Sequence, residues 1–358
     1  MWICHSERPL EAEELCQALA VEIGSADYND NKAPSIRTVL SYCQGFVVVD
    51  EEGSAVRLVH HTLQEYLTSH RNLFASSHST IAETCLTYLN SQQVMALSDF
   101  QVQSTQHSPF LEYSSLYWGV HMQKEPSEGG KTLALRLFNH YEYHISIRLL
   151  WEHTLLSYSP YLPQPKFTGL HYASMLGLVE VLRALIEMDS VDINITDGIS
   201  ATSILWAARN GHEAAVKLLL RRKDINPDRL DLSNRAPISW AAEEGHEAVV
   251  KLLLGRKDVS PDRPDLEQRA PISWAAENGH EAVVELFLEQ KDVNPHRLDC
   301  SDRTPISWAV ENGHEAVVKL LLERKDVSPD SPDCEEFSIQ WADESEHEAV
   351  VEFIEPFP

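Results

Sequence analysis

Hydrophobic positions in the back half of the chain recur in pairs of short groups that predict paired helices. In one copy, the first group covers residues 237–242 and opens on Pro237, which suits a first helical turn because its missing N–H has no helical partner there. The second group places apolar residues at i, i+1, i+4 and i+5, which is one helix face: Ala248, Val249, Leu252 and Leu253. Neither helix is long enough to be stable alone, so successive copies are expected to stack.

The pattern returns at a fixed interval along the chain. Trp206, Trp240, Trp274 and Trp308 are each 34 residues apart, and a glycine follows each of them by five residues. A period in the thirties is typical of stacked repeat arrays. With Tyr172 in the tryptophan position of the first copy, the sequence predicts six units: 166–196, 197–230, 231–264, 265–298, 299–332 and 333–358.

The sixth unit departs from the others. Trp341 follows Trp308 by 33 residues, Glu346 replaces the repeated glycine, and Pro356 interrupts the second helix. Polar residues in place of a stacking face favour a terminal cap, and a truncated gene product is the alternative.

The amino-acid sequence of the repeated unit resembles the ankyrin repeat. The family frame is matched by Thr304-Pro305-Ile306-Ser307-Trp308-Ala309, by Gly313-His314, by VVKLLL at 317–322 and by Asp326-Val327-Ser328. The resemblance implies helix pairs joined by hairpin "fingers", a protein-binding groove, and a structural histidine that ties neighbouring loops together. There are three departures: Ala236 and Ala270 in place of the capping threonine, Ser239, Ser273 and Ser307 in place of a histidine, and Asn234, Gln268 and Asp302 in place of the finger glycine.

The front of the chain, residues 1–75, predicts a small winged-helix domain. A helical pattern follows Pro9, and Ser35 can cap a second helix that Gly45 ends. Two short apolar strands around a tight turn follow, at 46–49 and 56–59, and a closing helix covers 61–73.

Residues 76–165 predict a helical spacer and a Pro-rich linker. Ser79 can cap one helix, residues 110–121 form an aromatic one, and residues 133–151 supply one or two more. Aromatic residues at helical spacing are expected in the core. Pro160, Pro163 and Pro165 make residues 157–165 a stiff linker. The predicted fold class is therefore mainly α: a winged helix, a helical spacer, and an ankyrin α-solenoid of about six repeats.

The front segments also resemble a known arrangement. Residues 56–67, VRLVHHTLQEYL, are similar to the end of the winged helix that follows the NACHT nucleotide-binding domain in STAND signal-transducing ATPases of filamentous fungi, some of which carry a GPI inositol-deacylase-like winged helix. Residues 80–90 and 109–118 resemble the helical spacer of those proteins. The resemblance implies that His60 matches a histidine that contacts the β-phosphate of ADP, although His61 replaces the expected aspartate.

A phosphate-binding loop is not expected in this sequence. The segment SEGGKT at 127–132 lacks the first glycine of the P-loop pattern, because position 125 is Glu125, and no strand precedes it. The chain is therefore expected to correspond to the C-terminal part of a NACHT–ankyrin transducer, either free-standing or truncated.

The charge limits the classes of partner that are expected, and the cysteine content bears on the cellular compartment. The net charge is −26, and both the front (residues 1–165, 9 Lys and Arg, 18 Asp and Glu) and the back (20 and 37) are acidic. Nucleic acid and anionic membranes are therefore not expected as partners, and a basic or polar protein surface is favoured. Six cysteines without paired spacing, no signal-peptide-like start and no 18-residue apolar run favour a cytoplasmic location, with the nucleus left open.

No catalytic constellation, cofactor or metal site is expected. His246-Glu247 resembles half of a zinc-protease helix, but the second histidine would be at Val250. The candidate surface is instead the groove, formed by finger positions and by the two residues before each Gly-His. These residues are Arg209, Asn210, Leu232, Ser233, Arg235, Glu243, Glu244, Leu266, Glu267, Arg269, Glu277, Asn278, Cys300, Ser301, Arg303, Glu311 and Asn312.

The groove residues form stripes of finger arginines beside helical Glu and Asn. The main hypothesis is a non-enzymatic protein-binding module in a fungal signalling context; a solvated face that only keeps the repeats soluble is the alternative for the surface. A second hypothesis is a regulatory fragment whose winged helix docks on a NACHT domain and places His60 at the nucleotide. A third hypothesis is that the winged helix binds DNA, but the excess of acidic over basic residues in this domain conflicts with it.

Overall fold

The computed structural model describes residues 1–50, 54–97, 109–139, 144–154, 167–188 and 191–323. The chain divides near residue 170 into two compact units, each described here by itself. The predicted linker at 157–165 and the predicted sixth repeat at 333–358 lie outside the described residues.

The first unit opens with the predicted helix–helix–hairpin–helix order. The Ser35 hydroxyl caps the second of the predicted helices by accepting the Thr38 N–H, as expected. The two strands pair antiparallel, and Glu11 forms a bridge to Ala55 that adds a third segment beside them. A short first helix was not predicted. The elements are α1 Trp2–His5, α2 Ala12–Ala20, α3 Ile36–Tyr42, β1 Val47–Val49, β2 Val56–Leu58 and α4 His61–Ser69.

The spacer packs as a helical layer in the same unit. Its elements are α5 Ser77–Leu89, α6 Gln92–Met95, α7 Pro109–Lys124, α8 Glu128–Phe138 and α9 Ile145–Thr154. Helix α5 lies against both α7 and α8, and α2 also packs on α7. The aromatic residues of α7 are core, as predicted: Phe110, Tyr113 and Trp118 are completely buried.

Two details of the spacer correct or sharpen the sequence predictions. The prediction that Ser79 caps a helix is wrong, because α5 begins two residues earlier and the Ser79 hydroxyl donates to the Ser76 carbonyl. The Ser127 hydroxyl accepts the Gly130 N–H and caps α8, so the SEGGKT segment is the first turn of a helix.

The second unit consists of stacked helix pairs. From the second pair on, the first helix of each pair lies beside the first helices of its neighbours, and the second helices of all five pairs form a row, as the predicted stacking requires. The pairs are α10 Gly169–Met175 with α11 Val179–Ile186, α12 Ser203–Arg209 with α13 Glu213–Leu219, α14 Pro237–Glu243 with α15 Glu247–Leu254, α16 Pro271–Glu277 with α17 Glu281–Leu288, and α18 Pro305–Glu311 with α19 Glu315–Leu322.

The buried face of each second helix differs slightly from the predicted one. Val249, Val250 and Leu253 are buried in α15, whereas Ala248 is exposed. The apolar face is therefore centred nearer Val250, and the same choice recurs in α17 and α19.

The departures from the ankyrin frame have the predicted local effects. Ala236 and Ala270 provide no side-chain cap for α14 and α16, whereas Thr304 forms a capping box with Ser307 at α18. The residues in place of the finger glycine adopt left-handed backbone, and Asn234 has φ +59°. Asparagine and aspartate tolerate this region best among non-glycine residues.

Candidate interaction surface of the repeats

One aspartate organises each finger. In the third repeat, Asp231 Oδ1 accepts the N–H groups of Ser233 and Arg235 at 2.8 and 2.9 Å, and Oδ2 accepts the indole N–H of Trp240 at 2.9 Å. The finger turn is therefore fixed to the first helix by a single carboxylate. Asp197, Asp265 and Asp299 do the same for their own fingers and tryptophans. Sequence reasoning missed this residue, although the four aspartates keep the period of 34.

The repeated histidines tie adjacent repeats together, which is the role that the ankyrin resemblance implies. His280 Nε2 lies 2.8 Å from the Glu243 carbonyl of the preceding repeat, and the carbonyl makes the nitrogen the donor. The ring lies against Gly245, which has φ +72° and where a Cβ would come within 2.5 Å of the imidazole. Glycine is thus required both by the backbone and by the close ring.

Arginine and tryptophan side chains alternate through the repeats in what we call the Arg–Trp stack. The guanidinium carbon of Arg235 lies 3.7 Å from the ring centre of Trp240 in its own repeat and 4.1 Å from that of Trp274 in the next. Arg269 lies in the same way between Trp274 and Trp308, at 3.6 and 3.9 Å. These distances are well within the range of cation–π attraction, which is strongest when the cation is desolvated.

Each finger arginine in the stack also pairs with a glutamate of its own first helix. Arg235 contacts Glu243 at 2.6 Å, and Arg303 contacts Glu311 at 3.2 Å; Arg269 pairs with Glu277. The arginine side chain of the first pair is 6% exposed and its glutamate is 26% exposed. The carboxylates therefore form the outer edge of the stack, and the guanidinium groups lie beneath them.

This burial corrects the predicted position of the finger arginines. They were expected on the open groove beside the row of Glu and Asn residues, but Arg235 and Arg269 are buried and Arg303 is half-buried. The reason is that a flat guanidinium fits between two indole faces, while its edge pairs with the glutamate carboxylate of the first helix in the same repeat.

The other predicted groove positions divide into half-buried and exposed residues. Arg209, Glu243, Glu277 and Glu311 are half-buried. The exposed ones are neutral or acidic: Asn210, Leu232, Ser233, Glu244, Leu266, Glu267, Asn278, Cys300, Ser301 and Asn312.

The finger tips form a hydrogen-bonded row. The Leu266 N–H donates to the Ser233 carbonyl at 3.2 Å, and the Cys300 N–H donates to the Glu267 carbonyl at 2.8 Å. The side chains of Leu232 and Leu266 are left 58% and 66% exposed at the tips. Exposed leucines at the same position of successive repeats give the surface an apolar line beside acidic groups.

The repeat family is identified by comparison with family models. The model of ankyrin repeats (3 copies) matches residues 170–265 and 238–333. Residues 170–333 are ankyrin repeats. The model of the GPI inositol-deacylase winged helix domain matches residues 1–82, which covers the helix–helix–hairpin–helix order of the first unit. The resemblance to ankyrin repeats and the GPI inositol-deacylase type of the winged helix are both confirmed. Ankyrin repeats are protein-interaction modules.

A curated relative is also similar to part of the chain. It is the azaphilone pigments biosynthesis cluster protein L of Monascus ruber, with 25% identity over 252 residues. The match covers 61% of this chain and 53% of the relative, so the chain spans about half the length of the curated protein that it matches. Among the helices that the structure describes, none is long and apolar enough to cross a membrane.

Proposed function

We propose that the ankyrin repeats bind a basic segment of a partner protein along the finger tips. The supporting observations are the exposed leucines at two successive finger tips, Leu232 and Leu266, and the exposed carboxylates of Glu267, next to Leu266, and of Glu244, at the end of α14. An apolar line with acidic borders is complementary to a chain that carries apolar side chains and Lys or Arg. The burial of Arg235 and Arg269 removes the positive stripe that would have opposed such a partner.

We place this module in a cytoplasmic, non-enzymatic setting within a fungal signalling pathway. The supporting points are the winged-helix match, the fungal source of the curated relative, and the resemblance of residues 56–67 to NACHT-linked winged helices. Binding through acidic groups at a partly exposed surface should weaken with salt, because exposed charges are screened over about 8 Å at physiological ionic strength.

The proposal is tested with charge reversals at matched positions. Glu244→Lys with Glu267→Lys should abolish retention of basic partners on the immobilised full chain, and Leu232→Asp with Leu266→Asp should do the same. The control pair is Glu247→Lys with Glu281→Lys, which makes the same charge change at exposed residues that begin second helices. Partners that all three double variants retain as well as the wild type would contradict binding at the finger tips.

A second candidate function is docking of the winged helix on a NACHT domain of another protein. The observation that favours it is the exposure of His60 at the junction between β2 and α4, where its ring accepts the Thr62 N–H and caps the helix. An exposed imidazole at this junction is reachable by a bound nucleotide. This function predicts that the chain associates with a purified NACHT domain in an ADP-dependent way and that His60→Ala weakens the association. Association of equal strength with and without ADP would count against it.

A further inference from the structure

Three side chains with metal-binding groups converge in the first unit. Glu7 lies between α1 and α2, His78 lies at the start of α5, and His121 lies in α7; one ligand atom of each lies within 4.8 Å of the others. His78 Nδ1 is 2.7 Å from His121 Nδ1, and Glu7 Oε1 is 3.7 Å from the same His121 nitrogen. His121 is fully buried and the Glu7 side chain is 17% exposed. One oxygen and two nitrogen atoms thus meet at a partly enclosed point.

The spacing is close to that of a zinc site. Zinc binds imidazole nitrogen and carboxylate oxygen at about 2.0–2.2 Å, so two ligand atoms of a tetrahedral ion lie about 3.3–3.5 Å apart. The carboxylate oxygen and the His121 nitrogen are already near this separation. The two imidazole nitrogens would have to part by about 0.6 Å, and His78 is only half-buried in the first turn of its helix.

Hydrogen bonds hold the deeper histidine in a ligand orientation. His121 Nε2 lies 2.8 Å from the Tyr113 hydroxyl oxygen, which also accepts the Glu7 N–H. Metal-bound histidines regularly donate their other ring N–H in this way, because the bond fixes the tautomer and the ring plane.

Two neighbouring charged groups bear on this site in different ways. Lys124 Nζ lies 2.7 Å from both carboxylate oxygens of Glu7, so it competes directly for that ligand. The Glu125 carboxylate accepts the N–H groups of His78 and Ser79 and is engaged with the start of α5. The lysine side chain is 46% exposed and can turn to solvent when the carboxylate binds an ion.

We propose that Glu7, His78 and His121 bind one divalent transition-metal ion, with Zn²⁺ as the ion that this ligand set fits best. Two imidazoles and one carboxylate favour zinc over magnesium or calcium, which take oxygen ligands. Water would fill the fourth position. The ion joins the segment before α2 to α5 and α7, so its role is to fasten the winged helix to the helical spacer. No metal site was expected from the sequence, because these ligands lie far apart along the chain.

The test is a zinc titration of the metal-free full chain against a chromophoric chelator. We expect one Zn²⁺ per chain, a rise in the thermal midpoint of unfolding on binding, and visible absorption of a tetrahedral site when Co²⁺ is used. His121→Ala should lose binding, but it also opens a cavity in the core. Glu7→Gln changes a partly exposed residue, so it tests ligation with less risk to folding, and it should weaken binding about tenfold or more.

Two further variants make the experiment specific. Lys124→Gln should strengthen zinc binding, because it frees the Glu7 carboxylate; a merely structural cluster gives no such gain. The control is His61→Gln with His70→Gln, which removes two exposed histidines elsewhere in the domain and should leave the zinc affinity unchanged. Absence of zinc binding against the chelator, or equal binding by the wild type, Glu7→Gln and Lys124→Gln chains, overturns the proposal.

Discussion

The guanidinium carbon of Arg209 lies 4.3 Å from the ring centre of Trp240, which belongs to the next repeat. In the three repeats that follow, the stacked arginine comes from the finger, and the position equivalent to Arg209 is a glutamate. In the second repeat the finger position is Ala201 instead. The first helix therefore supplies the cation that this finger lacks, and the Arg–Trp stack continues across the junction.

This exchange predicts a rescue. Arg209→Glu should lower the free energy of unfolding by about 1 kcal/mol, because it removes the cation from between two indoles. Adding Ala201→Arg should restore the loss, since the finger backbone of Ala201 makes the same bonds to Asp197 that Arg235 makes to Asp231. Urea unfolding of the two single variants and the double variant measures the coupling. Simple additivity of the two effects would mean that the positions are not interchangeable.

The stack itself should contribute strongly to stability. Arg269→Ala removes a buried cation from between Trp274 and Trp308 and leaves Glu277 without its partner, so we expect the free energy of unfolding to fall by roughly 2–4 kcal/mol. Arg269→Met, which fills the space without charge, should cost less. Arg229→Ala, at an exposed position, is the control and should change the urea midpoint little. Equal effects of Arg229→Ala and Arg269→Ala would argue against the stack.

Restoring the missing caps should stabilise the array. Thr304 accepts the Ser307 N–H at the start of α18, and the equivalent positions Ala236 and Ala270 leave their helices uncapped. Ala236→Thr should raise the free energy of unfolding by about 1 kcal/mol, and Ala270→Thr by a similar amount. Thermal unfolding checks both, with Thr304→Ala as the reverse change. A lower midpoint for Ala236→Thr would show that the site does not accept the hydroxyl.

His171 should make the first repeat sensitive to acid. It is fully buried, its Nε2 lies 3.1 Å from the Ile195 carbonyl, and burial lowers its pKa from 6.5 to about 4. Because the unfolded chain binds the proton first, stability is complete above pH 6.5 and falls as the pH drops toward 4.

A non-titrating variant isolates this effect. Between pH 7.5 and 5.0, the wild type should lose about 2 kcal/mol more unfolding free energy than His171→Gln, since each pH unit between the two pKa values is worth about 1.4 kcal/mol. Asp197 acts in the opposite direction, because burial raises its pKa to about 6, and its contribution is common to both chains. The same acid slope in urea titrations of both chains would refute the assignment to His171.

The fold was largely predictable because its signals are local and repeated. The 34-residue period predicted the helix pairs, and Ser35 predicted the start of α3. Asn234 was expected to adopt left-handed backbone in the finger turn, and it does. The errors have local causes too. Ser79 was read as a cap, but α5 begins earlier because the Glu125 carboxylate, distant in sequence, accepts N–H groups in its first turn.

The candidate surface was less predictable, because burial of a charged side chain depends on its neighbours in space. Nothing local in the finger sequence distinguishes an exposed Arg235 from one enclosed by Trp240 and Trp274. The shared period of the arginines, tryptophans and glutamates was a usable signal, since three residue types that recur together can form one contact per repeat. The Glu7–His78–His121 cluster carried no such signal, because its ligands come from three separate elements.

The Arg–Trp stack has a consequence for how such a gene can change. Each guanidinium in the third and fourth repeats is shared with the ring of the following unit, and the chemistry of those junctions is the same. Unequal crossing-over that removes or duplicates one 34-residue unit there joins matching faces, so the new boundary is already complementary. The array can therefore be lengthened or shortened by whole units in a single genetic step without first acquiring compensating substitutions.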